Sequence, residues 1–267
     1  MALPKSALSI KAAAWVRLGA AATLVTLTTV PVSMAGADLG LLSEAMTSPT
    51  TAAAITASLS PLRLGRRAAL TLTIRFSGGT GGIPSPVRRV ALSFPAGLIL
   101  EVPRLVSCSL ARLRDRGISG CPPAARLGIG HAVTTVLAGS QRLSENVALT
   151  AFLGPTRGLQ PTVLLVGQGH SPVERRIVLT AVLQAGAAPY GEQMVIAVPS
   201  IPSLPLEPNA SLATLALTAG RSSRRSHDHD AVRVPSACPP GGFPFTGEFL
   251  YADGSKGTAT TTAACPR

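Results

Sequence analysis

Residues 69–76 read ALTLTIRF, and this stretch decides the fold class. Every second position carries a large apolar side chain: Leu70, Leu72, Ile74 and Phe76. A period of two places these side chains on one face of a β-strand, while the threonines and the arginine between them face the other way. The stretch therefore predicts a half-buried strand.

The same pattern recurs along the chain with turn residues between the repeats. Further strands are predicted at 87–94, 98–101, 128–137, 146–153, 162–167, 176–183, 193–198, 212–218, 243–251 and 257–264. One short helix is predicted at 110–116, capped by Ser107 or Ser109 and ended by Gly117. Short strands with almost no helix predict an all-β fold, a β-sandwich of about nine to eleven strands.

The C-terminal strand carries half of the aromatic residues that follow residue 37. Phe243, Phe245, Phe249 and Tyr251 occupy alternate positions, and Asp253-Gly254 is a strong hairpin turn. The aromatic stripe is compatible with a ligand-binding face or with packing on the core. We favour packing, because apolar residues with a period of two usually mark a buried face.

The four cysteines, Cys108, Cys121, Cys238 and Cys265, are the whole cysteine complement. They lack the C-x-x-C spacing of zinc ribbons and redox pairs, and an even number in an exported chain predicts structural disulfides. Four cysteines allow three connectivities. We favour the local pairs, Cys108 with Cys121 around the predicted helix and Cys238 with Cys265 around the predicted hairpin.

Residues 1–37 have the three parts of a secretory signal peptide. Lys5, Lys11 and Arg17 precede an apolar run at 18–30, and Ala35-Gly36-Ala37 fits a cleavage site. The alternative is an uncleaved membrane anchor, because 18–37 carries no charge. Later in the sequence no apolar run is long enough to span a bilayer. The sequence therefore predicts a secreted protein, free or in the cell envelope, with no transmembrane segment after cleavage.

The rest of the chain is divided by composition. Residues 38–60 are predicted to be a flexible lead-in, 61–220 the β-sandwich core, and 221–267 an exposed loop followed by the disulfide-closed hairpin, packed on the same domain. The stretch RSSRRSHDHD at 221–230 is the most polar part of the chain.

The chain is strongly basic, with 24 basic and 12 acidic residues and a net charge of +12. The signal holds three basic and no acidic residues, so the chain after residue 37 has a net charge of +9. Almost all of its basic residues are arginines. Such a surface favours anionic partners, including cell-envelope polymers and lipid headgroups. A GC-rich coding sequence gives the same bias. The few aromatic residues offer no stacking platform, so we expect no specific nucleic-acid binding.

A search for catalytic motifs finds none. The chain has no G-x-S-x-G elbow, no H-E-x-x-H pair and no phosphate-binding glycine loop. The weak metal candidates are His227, Asp228, His229 and Asp230, which we interpret as a solvated loop because a structural site draws ligands from separated elements. A triad built in space from His131 or His170 stays open, since triads depend on geometry. We expect no cofactor.

Several short stretches of the chain form a recognisable set: 94–98 (FPAGL), 108–113 (CSLARL), 120–122 (GCP), 152–155 (FLGP), 201–205 (IPSLP), 238–245, 252–254 (ADG) and 265–266 (CP). In these stretches the chain resembles a group of uncharacterised exported, β-rich proteins of GC-rich actinobacteria. The resemblance covers most of the chain after the signal and implies a secreted β-rich protein with the same two bridges. The group has no assigned activity, so the resemblance supplies no catalytic residue.

Three functions are compatible with these observations. The first is a non-catalytic exported protein with a structural or interaction role at the cell surface. The second is an arginine-mediated binding module for an anionic envelope polymer or lipid. The third is a hydrolase whose site is not visible as a motif. We expect the protein not to be an enzyme.

Overall fold

A computed structural model describes residues 50–100, 106–171, 174–202, 208–220 and 232–266. The predicted signal peptide (1–37) and the polar loop at 221–230 lie outside the described residues. Within them the strands are β1 (Thr51–Ser60), β2 (Arg67–Gly78), β3 (Val87–Pro95), β4 (Ile99–Leu100), β5 (Arg126–Ala138), β6 (Gln141–Leu153), β7 (Thr162–Gly169), β8 (Arg175–Ala185), β9 (Tyr190–Ala197), β10 (Ser211–Ala219), β11 (Val232–Arg233), β12 (Phe243–Tyr251) and β13 (Lys256–Ala263). Helix α1 (Leu110–Arg116) lies between β4 and β5, with short 3-10 turns nearby.

All strand pairs are antiparallel, which confirms the all-β prediction. The strands follow the order β13-β12-β3-β9-β8-β7-β6-β5-β10-β2, with β1 and β11 both pairing with β2. Phe76 on β2 nevertheless stacks edge-to-face on Phe249 of β12, with ring centroids 5.0 Å apart. These strands lie near opposite ends of the order, so one continuous sheet folds over on itself. Its two halves form the layers of the predicted sandwich.

The core lies between these layers, and the aromatic stripe on β12 is part of it. Phe243, Phe245, Phe249 and Tyr251 are all 2 % exposed or less. This confirms the packing interpretation of the stripe. Phe76 also meets Tyr251 edge-to-face, and each such pair adds about 0.5–1.5 kcal/mol beyond the area it buries.

The lead-in predicted over 38–60 is wrong in its last ten residues. Thr51–Ser60 forms β1, which pairs with β2 from Thr51↔Gly78 to Ser60↔Ala69. Ile55 and Leu59 are buried in the core. The strand was missed because two other positions on this face, Ala53 and Ala57, carry alanine, whose small side chain gives a weak alternation signal.

Helix α1 is capped by Ser109, one of the two residues predicted for this role. The hydroxyl of Ser109 accepts a hydrogen bond from the Arg112 amide, and Gly117, with a positive φ, ends the helix. The bridge Cys108–Cys121 closes this segment, with Cα atoms 5.3 Å apart. Leu113 is fully buried against the outer face of β6 and β7, so the stapled helix covers a second, smaller apolar cluster.

The C-terminal hairpin is a member of the main sheet. Strand β12 pairs with β13 on one side and with β3 on the other. Gly254 has a φ of 82°, and Asp253 accepts hydrogen bonds from the amide and the hydroxyl of Ser255, which forms the predicted turn. The bridge Cys238–Cys265 ties the ends of the hairpin with Cα atoms 6.0 Å apart, so both favoured local pairs are confirmed.

Removing either bridge should lower the stability of the folded chain. The sequence separations are 13 and 27 residues, for which loop closure gives about 3 and about 3.5 kcal/mol. Urea unfolding of the Cys108→Ala/Cys121→Ala and Cys238→Ala/Cys265→Ala variants measures these losses. An unchanged midpoint in both variants would contradict the stapling role.

The Tyr251 hydroxyl is buried, and no described residue forms a hydrogen bond with it. Burial of the group and the nearby Asp253 carboxylate raise its pKa above the ordinary value of 10.0. A buried, unpaired hydroxyl costs free energy, so Tyr251→Phe should raise the free energy of unfolding by about 1 kcal/mol. A loss of similar size in thermal or urea unfolding would mean that the hydroxyl has a partner.

Candidate functional site

An apolar cavity of about 190 Å³ lies between the two layers of the sheet. Eight strands, β2, β3 and β5–β10, contribute to its wall. Most of the lining is aliphatic, and the polar residues stand at one end. A dry cavity of about 150 Å³ is large enough to take up benzene, so this space is suited to an apolar molecule rather than to a single water.

The space arises from small residues at inward positions. On β7 the inward residues are Val163, Leu165, Gly167 and Gly169, so the C-terminal half of the strand has no inward side chains. On β5 the wall is formed by Ala132, Thr134 and Val136, and the smallest of them, Ala132, is 3 % exposed. Leu149 and Leu179 face the same space and remain half-buried, because nothing in the described chain fills the volume in front of them.

Charged side chains, two of them exposed to solvent, lie at one end of the cavity, which we call the mouth. Three inward rows carry a charged residue there: Arg88 on β3, Glu145 on β6 and Arg175 on β8. Each row continues inward with aliphatic residues, as in Arg175, Ile177 and Leu179. Both arginines are exposed, whereas Glu145 is only 7 % exposed. The mouth therefore combines two accessible cations with one buried carboxyl group.

The segment that follows β9 passes over the mouth and is held by the two arginines. Arg88 Nη1 donates a hydrogen bond to Ser200 Oγ, and Arg175 Nη1 donates one to the Pro202 carbonyl at 3.0 Å. Ser200 and Pro202 themselves line the cavity. The two guanidinium groups are thus anchored two residues apart on one segment.

The electrostatics of the mouth centre on Glu145. Burial raises the pKa of this carboxyl above its ordinary value of 4.5, while Arg175 and His170 act in the opposite direction. The strand register explains why Arg175 acts on Glu145. Arg175 on β8 is opposite Gly169 on β7, and Gly169 is opposite Val147 on β6. Val147 is the next inward residue after Glu145. Gly169 has no side chain to separate the two groups.

A second apolar cavity of about 80 Å³ adjoins the first at the far end of the strands. Leu72, Leu165, Met194 and Leu217 line both cavities and therefore form the partition between them. Glu192 on β9 is the one ionisable residue in the lining of the second cavity. Burial raises the pKa of this carboxyl above 4.5.

None of the site residues considered from the sequence belongs to the described lining of either cavity. His227, Asp228, His229 and Asp230 fall outside the described residues. His131 and His170 are exposed, and neither belongs to the lining of the cavity. Among the described residues no group of three or more His, Cys, Asp or Glu side chains is arranged to hold a metal ion.

Sequence reasoning missed Arg88, Glu145 and Arg175, although a signal for them exists. Arg88 and Arg175 each begin an alternating apolar row, as in Arg88, Val90 and Leu92, and Glu145 stands between Leu143 and Val147 in another. A charge in such a row indicates an inward position at the rim of the sheet. The sequence near each charged residue does not show which rows face one another, because this depends on how distant strands pair.

No family model matches this chain, and no curated protein or solved structure is significantly similar to it. No helix in the described part of the chain has the length and apolar character needed to cross a bilayer.

The raised pKa of Glu192 predicts a pH dependence of stability. As the pH rises above about 4.5, the carboxyl group loses its proton in the unfolded chain before it does so in the folded chain. Because the folded state then binds more protons than the unfolded state, the free energy of unfolding falls as the pH rises. The fall ends when the folded carboxyl group has also ionised. The Glu192→Gln variant should lack this fall. Urea unfolding between about pH 4 and pH 7 measures the difference between the two slopes.

The matched control is Glu248→Gln, because Glu248 is exposed on β12. Its slope should follow that of the wild-type protein. Identical slopes for all three proteins would show that Glu192 is solvated in the folded state.

Proposed function

We propose that this protein is an exported, non-catalytic binding protein that holds an apolar, chain-like molecule inside its sheet. The cavity of about 190 Å³ carries the proposal. Binding sites for small molecules are typically concave and mostly apolar, with a few polar groups that set the orientation of the ligand. The aliphatic lining with charged residues at one end has this character.

The energetics of the empty cavity support the same proposal. Closed cavities left by core truncation cost about 24 cal/mol per Å³, so roughly 4–5 kcal/mol is an upper limit for an unfilled space of 190 Å³ that reaches solvent at one end. That is a large part of the 5–15 kcal/mol that stabilises a typical domain. A bound apolar ligand recovers this free energy by filling the space.

The proposal refines the second of the three functions considered from the sequence. The sequence suggested that arginines bind a lipid at the surface. In the present proposal the apolar part of the lipid lies inside the sheet, and the arginines stand at the entrance. A structural role would need no interior cavity, and a hydrolase would need reactive groups facing the bound molecule. Within the described lining, the polar side chains are confined to one end, and the remaining side chains are apolar.

Filling the cavity should abolish binding and leave the fold intact. Ala132→Phe places a ring in the space, so the protein should lose at least tenfold in affinity for N-phenyl-1-naphthylamine, a fluorescent apolar probe. Cavity filling changes stability by about 0.5–2 kcal/mol, usually upward. Fluorescence titration measures the first effect, and urea unfolding measures the second.

Ala148→Phe is the matched control, because Ala148 is exposed on β6 and lies opposite His131, the neighbour of Ala132. It should bind the probe as the wild-type protein does. Equal binding by both variants would place the probe on the outer surface and contradict the proposal.

The length of the bound chain should matter in a defined way. Each buried methylene contributes about 0.8 kcal/mol, which is about fourfold in affinity. Among straight-chain primary alcohols of about six to twelve carbons, affinity for the protein should rise by that factor per methylene until the chain meets the partition. A flat series in competition with the probe would argue against a chain-like ligand.

A further inference from the structure

We propose that the ligand is a single-chain amphiphile with an anionic head group, bound by Arg88 and Arg175 at the mouth, with its chain directed toward Glu192. This inference rests on the proposed function, because it assigns the orientation and charge of a ligand in the same cavity. It adds the chemical class of the head group.

The two arginines have the donors that an anionic head group needs. A guanidinium group has five N–H donors in a planar fork that matches carboxylate and phosphate oxygens. Arg88 uses a donor for Ser200 and Arg175 uses one for Pro202, which fixes the direction of both side chains. The remaining N–H groups of each arginine are enough for bonds to a ligand.

The charges and polar groups around the mouth favour an anion over a cation. Arg88 and Arg175 contribute two positive charges, and the buried Glu145 offsets one of them when it is ionised. Ser200 and Asn209 add a hydroxyl and an amide to the lining. His170 is close enough to Glu145 to lower the pKa of its carboxyl group.

The opposite end of the interior sets the direction of the chain. Between the mouth and Glu192 the described lining is apolar and continues past the partition into the second cavity. On β6 the inward row from Glu145 to Ala151 spans about 20 Å, at about 3.4 Å per residue. An anionic group beside the desolvated Glu192 would face a like charge or an apolar wall, so the head group belongs at the mouth.

The experiment compares four ligands that share a ten-carbon chain. Decanoate and decyl phosphate carry the two anionic head groups that fit the mouth, 1-decanol is neutral, and decyltrimethylammonium is cationic. Isothermal titration of the full chain at neutral pH should rank both anions at least tenfold above 1-decanol, and the cation below it. The ratio between decanoate and decyl phosphate distinguishes a fatty acid from a phosphate monoester.

Four variants test the assignment to the mouth. Arg88→Gln and Arg175→Gln should each weaken the anions about tenfold, because a hydrogen bond to a charged group is lost. Glu145→Gln should strengthen them, because a nearby negative charge is removed. The control is Arg89→Gln, since Arg89 is exposed on β3 and absent from the described lining; it should bind like the wild-type protein.

The neutral alcohol separates a head-group effect from a structural one. If Arg88→Gln and Arg175→Gln weaken 1-decanol as much as decanoate, the arginines only hold the segment over the mouth, and the head-group assignment is wrong. If all four ligands bind alike to the wild-type protein, the head-group assignment fails and the proposed function stands. If none of them binds, the proposed function itself fails.

Discussion

The hydrogen-bonded register of one continuous antiparallel sheet determines which side chains share the interior of this protein. In an antiparallel pair, residues directly opposite each other point to the same face. The register therefore carries each inward row from strand to strand, and the fold-over that brings Phe76 onto Phe249 encloses these rows. Once the sheet has closed on itself, the size of each inward residue decides whether the interior is filled.

The two sides of the interior differ in how they are filled. On β12 every inward residue except Gly247 is aromatic, and these rings pack against β2 and β3. On β5 and β7 inward positions toward the mouth carry residues as small as Ala132, Gly167 and Gly169, and the cavity lies in front of them. The two disulfides close segments outside this space, so they stabilise the fold without reducing the volume that a ligand can occupy.

Local sequence patterns were enough for some features and not for others. The cap by Ser109, the turn at Asp253-Gly254 and the aromatic stripe on β12 depend on neighbouring residues, and these predictions are confirmed. Strand β1 was missed because alanine weakens its alternation. The cavity needs pairings such as that of Thr71 with Thr218, which are separated by 147 residues, and no local pattern encodes them.

The central claim is that the interior of the sheet is a ligand site, and direct location of a bound chain tests it best. Crystals grown with 10-bromodecanoate would show the end of the chain as an anomalous peak from bromine. We predict a peak inside the sheet, close to Leu165 and Met194 at the partition, with the carboxylate at Arg88 and Arg175. A peak on the outer surface, with the interior empty, would contradict the account.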